Sequence, residues 1–152
     1  MSGQHTFVPG GDPAGDARAL RDAFGCFTTG VTVVTTLDGD RPVGFTANSF
    51  TSVSLDPPLA LVSIGLTASC LPAMQASEAN LNVDQEAVAR QFTRKDGDRF
   101  EGLQTLTWDT GAPVLAGCMA NFECETHHSF DAGDHRIFVG RILRVFHDAC
   151  LL

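Results

Sequence analysis

The sequence contains no tyrosine, and its 152 residues include no apolar run of the roughly 20 residues that a membrane-spanning helix needs. Its first residues, MSGQHTFVPGGDPAGD, lack the basic start and the apolar segment of a signal peptide. Their glycine, proline and aspartate content is typical of a mobile tail. We therefore expect a flexible N-terminal tail over residues 1–15, no membrane association and a cytoplasmic location.

Positive charge is also scarce. Ten Lys and Arg residues stand against 18 Asp and Glu residues, which gives a formal net charge of −8. This balance argues against nucleic acid or an anionic membrane surface as a partner. A phosphate-bearing ligand would have to be held by local donors, because the overall field repels it.

Several motifs of cofactor and metal chemistry are missing. None of the five cysteines forms a CxxC pair, and an odd count without a secretion signal favours reduced thiols in a cytosol. No GxGxxG fingerprint follows a strand, and there is no Walker A loop. His127 and His128 are adjacent on a predicted strand and point to opposite faces, so no metal site is predicted.

What is present is a core-forming pattern, with 43% hydrophobic residues. A chain of this length supports one domain, which we place at residues 16–152. The spacing of apolar residues predicts helices over 16–27, 69–76 and 85–92, and strands over 31–36, 42–47, 59–64, 114–127 and 135–147, the last two joined by a loop over 129–134. Few helices and short strands with hairpin turns predict a mainly β fold, an antiparallel barrel rather than a βαβ sheet.

The most informative stretch is residues 44–58, GFTANSFTSVSLDPP, which we interpret as a loop. Its small side chains allow a ligand to approach the backbone, and its hydroxyl groups can donate to anionic oxygens. A loop of this composition can also satisfy its own polar groups through local bonds between side chain and backbone. The composition alone leaves both interpretations open.

Several segments together resemble one family, the short-chain flavin reductases with their FMN-binding split barrel. The matching segments are residues 24–35, 44–58, 59–64, 84–92, 98–102 (DRFEG) and 133–141 (GDHRIFVGR). They occur in family order and cover most of the chain from about residue 16 onward. The combination of TANSFTSVSLDPP with GDHRIFVGR is the specific part of the resemblance.

The resemblance implies a FMN-binding split β-barrel, a Greek-key antiparallel barrel with a few flanking helices. It implies hydride transfer from NADH or NADPH to FMN or FAD, often to supply reduced flavin to a partner monooxygenase, and a homodimer with the flavin near the subunit interface. An alternative is a flavin-binding protein of the same fold without reductase turnover. Such a protein would act as an accessory module or use flavin for other redox chemistry on an organic substrate.

The resemblance also assigns roles to individual residues. His135 is expected beside the nicotinamide as the catalytic residue, with Asp134 orienting its ring. Ser69 can serve the flavin phosphate, the N-terminus of the following helix, or both. The expected flavin contacts are Gly30, Val31, Thr32, Val33, Thr46, Ala47, Asn48, Ser49, Ser52, Val53, Ser54, Thr67, Ala68, Ser69, Asn82 and Val83.

The sequence departs from the family in two places. It is shorter than its relatives between Ser77 and Asp84, which bears on Asn82. It also ends at DACLL, where relatives usually continue into an aromatic, basic tail that closes over the nicotinamide site. The resemblance leaves FMN or FAD open, whereas the lack of a basic cluster for a 2′-phosphate favours NADH.

Overall fold

The computed structural model describes residues 17–83 and 86–148, so the expected tail over residues 1–15 and the expected helix cap at Asp84 lie outside the described residues. The described residues include three short helices: α1 (Ala17–Gly25), α2 (Leu71–Ala76) and α3 (Glu86–Gln91). The strands are β1 (Thr32–Asp38), β2 (Arg41–Ala47), β3 (Thr51–Leu55), β4 (Pro58–Gly65), β5 (Ala79–Val83), β6 (Thr105–Thr107), β7 (Pro113–Leu115), β8 (Ala120–Ala132) and β9 (His135–His147). No helix among the described residues combines the length and the apolar character that crossing a membrane requires.

Seven strands form one antiparallel sheet in the order β2-β1-β5-β8-β9-β4-β3, and β6 pairs with β7 beside it. The predicted mainly β, antiparallel architecture is confirmed. In the described part of the chain no ladder joins the two end strands, β2 and β3. The sheet nevertheless curls until β2 contacts β4. A seam therefore runs between β2 and the β3–β4 pair.

β1 lies at the centre of the packing, with both faces covered. Val33 and Val34 are both 0% exposed and point to opposite sides. Val34 packs in a cluster with Met74 and Phe138, whereas Val33 belongs to a second cluster with Phe92. α2 and α3 both contact β1. Each such buried side chain stabilises the fold by about 1.5–3 kcal/mol, so two-sided burial explains the adjacent Val33 and Val34, whereas Val31 precedes β1 and is 42% exposed.

Two predicted loops are wrong. The serine-rich stretch contains β3, which pairs with β4 and has a β-bulge between Ser52 and Ser54. The predicted loop over residues 129–134 is mostly strand, because β8 continues to Ala132 and pairs with β9 along its whole length. Only Gly133, with φ of 63°, and Asp134 turn the chain. Pairing with a neighbouring strand supplies the backbone hydrogen bonds that the residues of these two segments do not form within the segment itself.

The start of α2 differs from the prediction as well. Leu71 and Met74 are buried as expected, but the N-cap is Cys70 and no side chain caps the helix. Pro72 lies in the first turn, where a missing N–H costs nothing. The hydroxyl group of Ser69 is therefore not used as a helix cap.

Candidate functional site

The seam between β2 and β4 opens into a groove of about 490 Å³, here called the seam groove. Its walls come from the ends of β2 and β4, the turns that follow them, the chain after α3 and the start of β9. This volume is within the range of about 300–1,000 Å³ that small-molecule sites occupy. The structure brings these predicted site residues together in the groove: Thr46, Ala47, Asn48, Ser49, Ala68, Ser69 and His135.

Two of the predicted hydroxyl donors are already engaged by the protein. The Thr46 hydroxyl donates to the Ala89 carbonyl at 2.6 Å and ties β2 to α3. The Ser49 hydroxyl accepts from the Ser63 N–H at 2.9 Å and donates to the Ser63 carbonyl at 3.1 Å. Both hydroxyl protons are therefore donated within the protein, as the self-satisfying interpretation of the loop expects, and the flavin contacts of Thr46 and Ser49 stay predictions.

Asn48 and Ser69 present free polar groups instead. Both side chains are exposed at the groove. Neither makes a hydrogen bond to another described residue. An amide offers two donors and one acceptor, and a hydroxyl offers one donor, so both suit a polar chain or a phosphate group.

Arg99 supplies the positive charge of the groove. Among the described residues that line it, Arg99 is the one arginine or lysine. Its Nε donates to the Arg94 carbonyl at 2.9 Å, and its Nη1 donates to the Gly44 carbonyl at 2.7 Å. These two bonds hold the guanidinium group in place and leave other N–H groups for an anion. Arg99 was not predicted, although it belongs to the DRFEG segment that carried part of the resemblance.

Phe92 forms part of the apolar wall of the seam groove and packs against Phe100. Phe92 is 1% exposed, and its ring meets that of Phe100 edge to face, with centroids 5.1 Å apart. A Cβ at Gly44 would lie 2.6 Å from Cδ1 of Phe92, so only glycine allows this approach. Gly44 thus has two functions, because its missing side chain admits Phe92 and its carbonyl anchors Arg99.

His135 faces the groove from the turn between β8 and β9. Its Nδ1 lies 2.6 Å from Oδ1 of Asp134, and its side chain is 49% exposed. The turn is fixed by the Leu66 N–H, which donates to the Asp134 carbonyl at 2.9 Å. The hydrogen bond from His135, followed by its positive charge, lowers the pKa of Asp134 from its usual value. Because a carboxylate only accepts, Nδ1 carries the hydrogen and Nε2 is left for a ligand.

The predicted ring contacts on β1 are not in the groove. Thr32 and Val33 are 2% and 0% exposed, and their backbone is paired with β2 on one side and β5 on the other. The Thr32 hydroxyl donates to the Ala47 carbonyl at 3.0 Å. A strand in the middle of a sheet has no edge to offer a ligand, whatever its composition.

Asn82 is likewise a structural residue. Its side chain is 0% exposed, and Nδ2 donates to the Val33 carbonyl at 3.0 Å. Its Oδ1 accepts from the Leu115 N–H at 3.0 Å and from Nδ2 of Asn121 at 2.7 Å. Asn82 therefore joins β1, β5, β7 and β8, and its hydrogen-bonding groups are occupied.

Other predicted residues also lie outside the groove lining: Gly30, Val31, Ser52, Val53, Ser54, Thr67 and Val83. Ser54 accepts from the Asp56 N–H at 3.2 Å, a local bond of the kind that serine-rich segments favour. Across the described ranges, no three His, Cys, Asp or Glu side chains converge on a position that could hold a metal ion.

Comparison with known proteins places this geometry in context. A family model described as "Flavin reductase like domain" matches residues 24–152. The FMN reductase (NADH) SmoA of Agrobacterium fabrum is 46% identical over 153 residues, which cover 97% of this chain and 84% of that protein. The NADH-dependent FAD reductase of Streptomyces globisporus is 44% identical, over 84% of this chain and 75% of its own length.

A third relative is the reductase component of the flavin-dependent trigonelline monooxygenase of Acinetobacter baylyi. It is 46% identical over 86% of this chain, but the chain spans only 44% of that protein's length. Other relatives are also longer, since the chain covers 57% of the reductase subunit of the Rhizobium meliloti stachydrine N-demethylase.

Among solved structures, the NADH:FAD oxidoreductase SgcE6 of Streptomyces globisporus in complex with NAD and FAD fragments superposes with a TM-score of 0.85. It is 39% identical, and the match covers 93% of this chain and 87% of that one. The resemblance inferred from the sequence is therefore confirmed, and the chain belongs to the family of flavin reductase like domains.

Proposed function

We propose that the protein is an NAD(P)H:flavin oxidoreductase that transfers a hydride from NADH or NADPH to FMN or FAD. The observation that carries this proposal is the seam groove itself. It combines free neutral donors, one anchored arginine and an Asp134–His135 pair in a chain of the flavin reductase family. Relatives that are 46% and 44% identical bear the names of NADH-dependent flavin reductases.

The residues present fit a flavin. A flavin needs a flat apolar slot for its ring and donors for its polar chain and phosphate. Phe45, Ile64 and Phe92 supply apolar wall, and the small Ala47 leaves room beside them. Asn48 would bond the ribityl chain, and Arg99 would offset the charge of the phosphate in a protein whose net charge is −8. When bound, the flavin supplies the electron acceptor for a hydride.

His135 would act on the nicotinamide. Hydride transfer depends on holding the donor carbon and the acceptor about 3–3.5 Å apart and aligned. Asp134 orients the imidazole, so Nε2 can bond the nicotinamide carboxamide or hold a proton near the reduced flavin. Because its pKa is lowered, Asp134 stays a carboxylate at neutral pH, and the pair is lost only as the pH falls through that lowered value.

The proposal extends to partners and location. We propose a homodimer, because several large apolar side chains are exposed on α1, on β3 and on the β8–β9 hairpin. A partner monooxygenase that consumes reduced flavin is supported by the name of the relative from Acinetobacter baylyi. A cytoplasmic location suits Cys26, Cys70, Cys118 and Cys124, four described cysteines that form no disulfide bond.

The test is to mix purified protein with FMN or FAD, add NADH or NADPH and follow the nicotinamide absorbance band. We expect NADH to be consumed in proportion to enzyme, and the control without flavin to stay flat. Flavin binding without turnover on either nicotinamide would reject the reductase activity. That outcome would favour the alternative of a flavin-binding module.

His135→Ala separates the two steps. We expect reduction to slow about tenfold or more while flavin affinity changes little, because His135 would contact the nicotinamide. The assay compares single-turnover flavin reduction with flavin affinity measured by fluorescence quenching. An equal loss of both quantities would assign His135 a structural role in the turn.

A further inference from the structure

A second groove of about 630 Å³ adjoins the seam groove, here called the second groove. Ser69, Cys70 and Arg99 line both grooves and form the border between them. His135, the expected nicotinamide contact, lines the seam groove but not the second groove. The border between the two grooves therefore does not lie at the expected nicotinamide contact. A ligand whose phosphate rests on Arg99 can therefore continue across the border.

The border has the chemistry of a pyrophosphate site. Arg99 is anchored by the carbonyls of Gly44 and Arg94, lines both grooves, and has further N–H groups beyond those two bonds. Ser69 adds an exposed hydroxyl that bonds no other described residue. A fixed guanidinium fork suits phosphate oxygens better than a flexible ammonium group does, and this fork lies between two cavities.

The walls of the second groove suit a nucleoside. Pro42, Pro72 and Phe100 supply apolar surfaces against which a flat base can pack. Asp98 uses Oδ1 to accept the Phe100 N–H at 2.8 Å, and its other oxygen can accept from a ribose hydroxyl. Arg41, paired with Asp38 at 3.3 Å, adds one more cation.

The carboxylates also limit what can bind. Asp38 and Asp98 both line the second groove, and Asp98, which forms no ion pair with a described residue, would repel a further phosphate on the ribose. We propose that the second groove binds an adenosine 5′-phosphate group without a 2′-phosphate, with Arg99 and Ser69 at the linking phosphates. This inference rests on the proposed function. FAD and NADH share the adenosine 5′-phosphate group, and they differ in the other half, which carries the flavin or the nicotinamide.

The direct probe is AMP itself. Saturation-transfer NMR and calorimetry on the whole chain should detect AMP binding, with adenosine 2′,5′-bisphosphate binding about tenfold more weakly. Pro72→Trp fills the second groove from an exposed position in α2, and Arg41→Glu reverses its rim charge. Both variants should lose AMP affinity by about tenfold. Arg141→Glu is the matched control, because Arg141 is also exposed and paired with a carboxylate but lines neither groove.

Two further measurements identify the source of the adenylate. If it belongs to FAD, Pro72→Trp raises the Kd for FAD about tenfold and changes the Kd for FMN by less than about twofold. If it belongs to NADH, the same variant raises the KM for NADH with FMN as acceptor. It then leaves the KM for reduced nicotinamide mononucleotide unchanged.

Some results would overturn the inference. The inference is overturned if AMP does not bind the wild-type chain. It is also overturned if Pro72→Trp and Arg41→Glu lower the affinities for FMN and FAD to the same extent. Wild-type protein that reduces flavin but ignores AMP would overturn this inference alone. Wild-type protein that binds AMP but neither flavin would overturn the proposed function, and the inference with it.

Discussion

At the level of single residues, the seam groove separates polar groups that serve the fold from those that can serve a ligand. The hydroxyl groups of Thr46 and Ser49 donate hydrogen bonds to the carbonyls of Ala89 and Ser63. The Asn48 side chain has no such partner among the described residues, and Arg99 has N–H groups beyond those that bond the Arg94 and Gly44 carbonyls. The same short polar side chains therefore have opposite roles within four residues of one another.

Asn48→Asp tests the proposed placement of the flavin chain. The substitution removes the amide donors and puts a negative charge near the ligand's phosphate, so we expect the Kd for FMN to rise about tenfold, or about 1.4 kcal/mol. Fluorescence quenching measures it. Ser52→Asp adds the same charge at an exposed position outside the groove lining and should have little effect. Unchanged affinity in Asn48→Asp would show that the ligand lies elsewhere.

Cys124 provides a test of burial through its chemistry. Burial, followed by the charges of Glu123 and Glu78, raises the pKa of the Cys124 thiol to about 12. In the folded protein iodoacetamide at pH 8 should therefore label the exposed Cys26 and spare Cys124, as read by mass spectrometry. Labelling of Cys124 at the same rate as Cys26 would contradict this packing.

The same thiol has a consequence for stability. In the unfolded chain Cys124 ionises near its usual value of 9.0, whereas in the fold it stays protonated to about 12. The unfolded state therefore loses a proton first as the pH rises above 9, and the thiol's contribution to stability declines over that interval. Urea midpoints at pH 8 and pH 10 should show this fall, and Cys124→Ala should reduce it.

At the level of elements, the site depends on how closely β2 approaches the chain after α3. Gly44 on β2 admits the Phe92 ring, and Phe100 meets that ring edge to face. The Gly44 carbonyl then receives Arg99. One position without a side chain thus couples the core cluster of Phe92 to the cation of the groove.

Gly44→Ala should disturb both features together. The added Cβ would collide with a buried ring, and overpacking of this kind costs about 1–3 kcal/mol. Urea denaturation should show that loss, and FMN affinity should fall because a shift of β2 away from the Phe92 ring would move the residue 44 carbonyl that anchors Arg99. Gly25→Ala is the control, since a Cβ there meets nothing within 4 Å. Equal stability of the two variants would mean that Phe92 can move aside without cost.

At the level of the whole molecule, several large apolar side chains among the described residues are exposed. Phe24 and Phe27 are 70% and 76% exposed near α1, and Leu55 at the end of β3 is 95% exposed. Phe24 and Phe27 lie three residues apart, and exposed apolar side chains that form a patch are typical of a surface that another protein covers. They support the proposed homodimer.

Sedimentation velocity tests the assembly. We expect a species of twice the chain mass of 16.2 kDa. The double variant F24E/F27E should sediment as a monomer, because it places two charges in the proposed contact. The control R18E/R21E changes charge on the same helix, with both residues exposed, and should stay dimeric. A wild-type chain that sediments as a monomer at micromolar concentration would refute the proposal.

Sequence reasoning predicted the strands and helices that a local pattern marks, and it missed the features that depend on pairing between strands. The apolar runs of β1 and β4 and the buried face of α2 were predicted. The end of β8 was not, because the mixed residues 129–132 (SFDA) carry no clear strand pattern and become strand by pairing with β9. Asn82 was assigned to a ligand, but four strands meet at its side chain.

The sequence by itself determined the mainly β architecture, the family and the short segments from which the groove is built. Periodicity and turn residues are local properties, so they can be read without the fold. Only the tertiary structure decided which hydroxyl groups remain free and that Arg99 stands between two cavities. These outcomes depend on hydrogen bonds between segments up to 55 residues apart in the chain, such as that from Arg99 to Gly44, and no local pattern encodes them.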